Sequence, residues 1–422
     1  MATQITNYQC PSCTGPLQFS ATTGRLECEY CGSGFTIEEV EALYEEKNRK
    51  AEAAQVAATG ENWDAESMRA YHCPSCGAEL LCDVTTAATS CPYCGNPTVV
   101  PGQFADVQRP DYVIPFGLEK EAAVEALKQY YKGKFLLPGG FAKDSHLEEV
   151  KGVYVPFWLY DGVADADVTF SATRSHVHTT PHERITTTEY YRVERTGSVS
   201  FEKVPVDGST KMPDGHMDAI EPYDYGKLEP FSMAYLPGFL ADKYDLDAEN
   251  CAQRAQDRCR NSAIAAMENT VVGYNGSTVQ RADVKMHSQN VSYALLPVWL
   301  LSTKWQNKNY LFAVNGQTGK LVGDLPVSAG RMAAFFAVLF AILGSIGWMI
   351  MEAAGGVIAG AVVAAIICTV FYGTMKTANV QTNAHAYIPD AGVQIRHRLD
   401  IFTHKTVSRQ PINRDSGNQK HR

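Results

Sequence analysis

Two apolar runs in the last quarter of the chain set its organisation. Residues 333–351 (AAFFAVLFAILGSIGWMIM) and 357–375 (VIAGAVVAAIICTVFYGTM) hold nineteen residues each without a charge, and only Glu352-Ala-Ala-Gly-Gly356 separates them. At the helical rise per residue such a run reaches about 28 Å, close to the ~30 Å hydrocarbon layer of a bilayer. A soluble helix keeps one polar face, and neither run has one. The pattern therefore predicts a transmembrane helical hairpin over 333–375 rather than a buried soluble one. Arg331 precedes the first run and Lys376 follows the second. Because cytoplasmic flanks are enriched in cations, both ends are expected in the cytoplasm, at the inner (plasma) membrane of the cell. An even number of spans then places residues 1–330 and the 376–422 tail on one side.

Between residues 111 and 330 the pattern changes to short apolar alternations broken by helical periods. Asp111 to Phe116 reads as a strand and Glu119 to Lys132 as an amphipathic helix closed by Gly133. Ser145 and Glu148 have the spacing of a capping box at the start of a short helix. Strands are predicted at Val153–Tyr160, Asp167–Ser171, Ile185–Val193 and Ser198–Val204. A long helix follows from Asp247, a plausible N-cap, to Asn269, and then strands at Val291–Leu301, Tyr310–Val314 and Lys320–Val322. Val155-Pro-Phe-Trp-Leu159 and Leu296-Pro-Val-Trp-Leu300 share one pattern, each after a helical stretch. The 111–330 region thus reads as an α+β domain containing a degenerate internal duplication. Asn315-Gly-Gln-Thr-Gly319 reads as a hairpin turn. It is no phosphate loop, since the first glycine of that motif is missing and Leu321 follows Lys320 where Ser or Thr is needed.

The N-terminal third is punctuated by cysteines. Cys10-Pro-Ser-Cys13 and Cys28-Glu-Tyr-Cys31 are fourteen residues apart, and so are Cys73-Pro-Ser-Cys76 and Cys91-Pro-Tyr-Cys94; each cysteine of the second set lies 63 positions after its counterpart. This is an internal repeat. A CxxC knuckle offers two thiolates from one turn, and two knuckles close a tetrahedral site with no open position for water. The spacing predicts two structural Zn²⁺ ribbons, 1–37 with Cys10, Cys13, Cys28 and Cys31, and 71–100 with Cys73, Cys76, Cys91 and Cys94. An iron centre of rubredoxin type or redox-active CxxC pairs would use the same residues. Residues 38–70 between the ribbons have the apolar spacing of a helical linker at Ile37, Val40, Leu43 and Tyr44.

Composition narrows the function. Twelve cysteines, eight of them in CxxC pairs, do not form a secreted disulfide framework, and the first residues lack a basic stretch before an apolar core; a reducing compartment and no secretory signal are expected. Residues 1–110 carry fourteen Asp/Glu against six Lys/Arg, and residues 71–100 have no Lys or Arg at all. Phosphate contacts need cations, so nucleic-acid binding by the ribbons is disfavoured against protein docking. His176, His178 and His182 could hold a metal but read as exposed loop residues. Cys251 and Cys259, eight apart on one helix, are separated by roughly 12 Å along its axis, which makes them packing residues rather than disulfide partners. The tail after Thr377 carries seven Lys/Arg against three Asp; it suits an anionic leaflet or a disordered end. No protease, helicase or nucleotide-binding motif is found, so no enzyme is expected.

The four CxxC knuckles, Pro156-Phe-Trp-Leu-Tyr-Asp161, Leu236-Pro-Gly-Phe-Leu-Ala-Asp-Lys-Tyr-Asp245, Asn315-Gly-Gln-Thr-Gly-Lys320 and the terminal hairpin together resemble a family of bacterial membrane proteins. These carry N-terminal zinc ribbons and are often labelled primosomal-helicase-like or transcription-factor-IIB-type. The resemblance implies a membrane-anchored scaffold with phage-shock-protein-A-like or flotillin-like partners in envelope stress. The helicase label fails on the missing phosphate loop. The expectation is a multidomain α+β membrane adaptor; a membrane-tethered nucleic-acid protein and an enzyme with an unrecognised site in 111–330 are the alternatives.

Overall fold

The computed structural model describes residues 8, 10–12, 15, 17–42, 68–72, 79–83, 86–90, 97–99, 108–143, 147–351, 354–376 and 381–411. The fold is mixed α+β with one large sheet and two apolar helices toward the C-terminus. In chain order the strands are β1 Leu17–Ser20, β2 Arg25–Cys28, β3 Gly34–Phe35, β4 Met68–His72, β5 Glu79–Asp83, β6 Thr86–Ser90, β7 Pro97–Val99, β8 Tyr112–Val113, β9 Leu147–Thr179, β10 Glu183–Asp207, β11 Glu229–Pro230, β12 Leu240–Asp242, β13 Gly276–Trp305, β14 Lys308–Asn315, β15 Leu321–Gly323 and β16 Val393–Pro411. The helices are α1, described over residues 37–42, then α2 Lys120–Tyr131, α3 Gly139–Lys143, α4 Asp214–Ala219, α5 Ala248–Glu268, α6 Ala329–Met351 and α7 Ala354–Gly373. Two compact units arise: Met1–Trp158 with Val206–Cys251 and Ser292–Gln381, and Leu159–Pro205 with Ala252–Val291 and Thr382–Arg422. Strands β9 and β13 contribute residues to both.

The first unit is built on two matching clasps. In one, the Trp158 indole N–H donates to the Leu246 carbonyl at 2.9 Å. The Gly208 amide donates to the Pro156 carbonyl at 2.9 Å, and the amides of Asp245 and Leu246 converge on the Gly208 carbonyl at 3.0 and 3.1 Å. In the other, Trp299 donates to the Leu118 carbonyl at 2.9 Å. Gly316 donates to Pro297 at 2.8 Å, and Gly117 and Leu118 converge on Gly316 at 2.9 and 3.0 Å. Each Trp therefore holds a loop that leads into a helix, α5 after Leu246 and α2 after Leu118. The strands before those loops cross over in the same way, β12 pairing parallel with β9 and β8 parallel with β13. A Cβ on Gly316 would lie 2.8 Å from Phe116 and Pro297, so only glycine fits that corner. Between the clasps Phe116 and Phe239 stack at 4.0 Å.

Several local expectations hold. Asp247 caps α5, accepting from the Asn250 amide at 2.8 Å, and α2 gives way to Gly133 at φ +77°. The Asn315–Gly319 segment is the β14–β15 turn, with buried Asn315 accepting from the Gln317 and Thr318 amides at 2.9 Å. The capping box at Ser145 and Glu148 is overturned: Glu148 lies in β9, because the apolar alternation from Val153 onward extends the strand back to Leu147. The separate strands predicted from Asp167 to Val204 merge into the long β9 and β10. The tail is no disordered end over Val393–Pro411, which is paired antiparallel with β10 from Glu183↔Pro411 to Val199↔Val393.

Helices α6 and α7 are long and apolar enough to cross a membrane, over Ala329–Ile350 and Gly355–Gly373. Only 6% and 22% of their most apolar windows are buried, so they are not core helices of the sheet. They pack on each other through glycines: a Cβ on Gly347 would overlap the Gly356 carbonyl, and the reverse holds too. Small residues let helix backbones approach where lipid gives no hydrophobic drive for association.

In the second unit α5 is tied to the segment before β16. Buried Arg258 donates to the Asn383 carbonyl at 3.1 Å and the Pro205 carbonyl at 2.6 Å, and the Ala384 amide donates to Ser262 Oγ at 2.6 Å. Arg195, 4% exposed, pairs with Asp400 at 2.6 Å. That hydrogen bond holds the Asp400 carboxyl below its ordinary range, so the carboxylate is ionised at neutral pH.

The clasps generate the first prediction. Trp158→Phe and Trp299→Phe each leave a loop carbonyl without its donor, at a cost of about 1–3 kcal/mol. Thermal melts of the full-length protein in detergent are expected to fall by similar amounts in both variants; an unchanged melting temperature in either would show that its clasp carries no stability.

Candidate metal centre

The sequence around the first knuckles folds locally into a small three-stranded sheet, β1-β2-β3. Leu17, Phe19 and Leu26 supply its buried face, and Gly24 at φ +66° closes the β1–β2 turn. The register sets Leu17 opposite Cys28. The chain before β1 is strapped back by the Leu17 amide on the Tyr8 carbonyl at 3.0 Å and the Cys10 amide on the Gly15 carbonyl at 2.7 Å. Cys10 is thereby brought beside the end of β2. After β2 the chain reverses through Gly32 at φ +72°, with Gly32 donating to the Cys28 carbonyl at 2.8 Å and Cys28 to the Ser33 carbonyl at 3.0 Å. This turn carries Cys31 toward the other two.

The outcome is a cluster in which the sulfurs of Cys10, Cys28 and Cys31 all lie within 4.8 Å of one another. Cys10 and Cys31 are 3.5 Å apart, and none of the three is disulfide-bonded. A tetrahedral Zn²⁺ with bonds of ~2.3 Å has sulfur–sulfur edges of about 3.8 Å, so the donor set fits the metal. The Ser12 amide points at Cys10 Sγ at 3.4 Å, the kind of N–H that stabilises a ligating thiolate. Cys10 and Cys28 are 1% exposed while Cys31 faces solvent. At Gly15 a Cβ would lie 2.6 Å from the Tyr30 ring and 3.2 Å from Cys28 Sγ, so the knuckle closes only over glycine. Three soft donors around one point suit a thiophilic metal ion.

The predicted fourth ligand, Cys13, and the second set, Cys73, Cys76, Cys91 and Cys94, lie outside the described residues. The backbone around that second set is nonetheless informative. Thr89 pairs with Thr98 and Ser90 with Pro97, each 63 positions after the first-copy pairs Leu26↔Phe35 and Glu27↔Gly34. Strand β6 also pairs antiparallel with β12.

Sequence reasoning missed how the first sheet is seated. The Phe19 amide donates to the Pro237 carbonyl at 3.1 Å, the Phe19 and Tyr235 rings meet at 5.4 Å, and Thr22 donates to Glu119 from its amide at 3.0 Å and its hydroxyl at 2.8 Å. One of these contacts, at Pro237, falls in the Leu236–Asp245 stretch, whose Pro-Gly pair gave a signal; those at Tyr235 and Glu119 had none. His176, His178 and His182 are exposed around the β9–β10 turn and join no cluster of potential metal ligands among the described residues. Cys251 and Cys259 are buried, and desolvation pushes the Cys259 thiol up to about 12, which keeps it protonated and inert.

Comparison with known proteins gives one informative match. The chain is 34% identical over 339 residues to the uncharacterized protein YdjG of Bacillus subtilis (strain 168), an alignment covering 79% of this chain and 93% of that one. No family model and no solved structure matches. The relative is uncharacterized, so it indicates no enzyme function.

Metal removal tests the cluster. Metal binding at such sites contributes roughly 10–16 kcal/mol of folding free energy. Cys28→Ser is expected to lower bound zinc by one ion per chain, measured by plasma mass spectrometry, and to expose residues 8–42 to protease, while Cys251→Ser keeps the full complement. Equal zinc in Cys28→Ser and the parent protein would refute the site.

Proposed function

We propose that this chain, which belongs to the family of YdjG of Bacillus subtilis (strain 168), is an integral membrane scaffold that holds protein partners at the cytoplasmic face of the plasma membrane. In this reading α6 and α7 cross the bilayer as a hairpin, both ends of the chain lie in the cytoplasm, and two four-cysteine zinc ribbons dock partners.

The observation that carries the reading is the joining, in one compact unit, of a thiol cluster suited to a closed metal site and a hairpin whose apolar side chains face outward. Trp348, Ile350 and Ile358 are 56%, 76% and 65% exposed. Such a surface needs lipid around it. The ribbon duplication is supported by the repeated register 63 residues on, and duplication of the α+β region by the two clasps. A docking role is further favoured by β16, which among the described residues pairs only with β10 and exposes Leu399, Phe402 and Val407. An edge strand of that length is a template for a partner. Partners of the phage-shock-protein-A-like or flotillin-like kind follow from the resemblance of the motifs.

The test is purification of the tagged full-length protein from native membranes in mild detergent, with stoichiometric companions identified by mass spectrometry. Companions retained by the parent protein and lost from Cys73→Ser/Cys76→Ser are expected. Recovery of the protein alone, or of companions indifferent to those changes and to Phe402→Asp, would contradict the scaffold.

A further inference from the structure

The two apolar helices do not hang from a linker. Where α6 begins and α7 ends, the α2–α3 loop is wedged against them: Phe135 meets Phe335 at 4.9 Å and Phe371 at 5.4 Å between ring centroids. The Arg331 guanidinium donates to the Phe135 and Leu137 carbonyls, and the Lys134 ammonium donates to the Thr374 carbonyl at 3.0 Å. The Ser328 amide reaches the Leu136 carbonyl and the Leu325 amide the Met375 carbonyl, each at 2.9 Å. The polar end of the hairpin is thus fixed to the first unit, and what lies beside it is a built surface.

Beside this end is a cleft of about 570 Å³ whose lining includes Trp305, Lys308, Tyr310, Asp324, Tyr372 and Lys376. Its size falls in the range of small-molecule pockets, about 300–1,000 Å³. Its side chains are of the kinds that gather where a bilayer meets water, Trp and Tyr at headgroup level and Lys just outside. Lys308 and Lys376 are exposed and neither makes an ion pair among the described residues. Lys376 Nζ sits 5.8 Å from the Tyr372 ring centre. Burial and the Asp324 carboxylate raise the Tyr310 phenol above its ordinary range, so it offers a neutral hydroxyl. Two ammonium groups against one carboxylate leave a cationic site. Lys132 and Lys134 line a second cleft at the same end of α7, beside Phe371 and Thr374.

We propose that this cleft binds the headgroup of an anionic phospholipid. Lys308 and Lys376 hold its phosphate, the Tyr310 hydroxyl donates to it, and its acyl chains run along the outer face of α7, where Val370 is 62% exposed. The assignment rests on the reading of α6 and α7 as membrane spans. Free phosphate would share the lysine chemistry but gains nothing from the apolar flank, which is why the lipid is the favoured source.

The experiment reconstitutes full-length protein in nanodiscs of phosphatidylcholine alone, with phosphatidylglycerol, or with phosphatidylethanolamine, and counts retained lipids by native mass spectrometry. Phosphatidylglycerol is expected to be retained over both others. A juxtamembrane lysine contributes about fivefold in affinity, so Lys308→Gln/Lys376→Gln should weaken retention by roughly 25-fold, while Lys227→Gln at another exposed site should not change it. Excess glycerol phosphate should not displace the lipid. Equal retention of all three lipids, an unaffected double variant, or displacement by glycerol phosphate would each overturn the proposal. Failure of the protein to enter nanodiscs, or its release from membranes by alkaline carbonate, would instead sink the membrane reading on which it depends.

Discussion

Two indole N–H groups hold the first unit together. Trp158 and Trp299 each reach out of a long strand to a carbonyl of a helix-leading loop, Leu246 before α5 and Leu118 before α2. The loop amides in turn converge on Gly208 and Gly316, so each clasp satisfies polar groups that burial would otherwise leave without partners. Trp158 thereby joins β9 to the loop that leads into α5, and Trp299 joins β13 to the loop that leads into α2. The dependence reaches further than the sheet. The loop before α2 also presents Glu119 to Thr22 of the metal module, and the loop after α2 supplies Phe135 to the base of the hairpin. The cysteine cluster and the apolar helices therefore share one support.

Much of this was legible in the residues. The nineteen-residue uncharged runs identified α6 and α7, since few other patterns give that length without a polar face. Asp247 as a cap, Gly133 as a helix stop and Asn315-Gly as a turn were readable because each acts through local chemistry. The aliphatic-Pro-x-Trp-Leu pair marked both clasp strands, although its partners, Leu118 and Leu246, engage through backbone carbonyls and carry no sequence signal. Nothing in Val393–Pro411 announced a strand: its cations masked an alternation whose partner, β10, lies some two hundred residues earlier. Glu148 failed for the opposite reason, a local capping pattern being overridden by the sheet.

The candidate site was legible in its ligands and not in its setting. Spacing alone paired the knuckles, and the structure brings Cys10, Cys28 and Cys31 together. What spacing could not convey is that β1 is docked on Tyr235 and Pro237 through Phe19, so that on the proposed reading metal binding and the seating of this small sheet are energetically linked. On the proposed reading this linkage makes zinc a condition of presenting a docking surface. On the same reading, the attachment of Arg331, Lys134 and Phe135 at the hairpin base sets how that surface stands over the bilayer.

The central claim, a hairpin that crosses the plasma membrane with the remainder of the chain inside, is tested most directly by thiol labelling of intact cells with a membrane-impermeant maleimide. The account predicts that Ala354→Cys, at the start of α7, is labelled from outside. The parent protein and Ser328→Cys, at the other end of the hairpin, should be labelled only after the cells are opened. Labelling of Ser328→Cys in intact cells, or protection of Ala354→Cys until lysis, would contradict it.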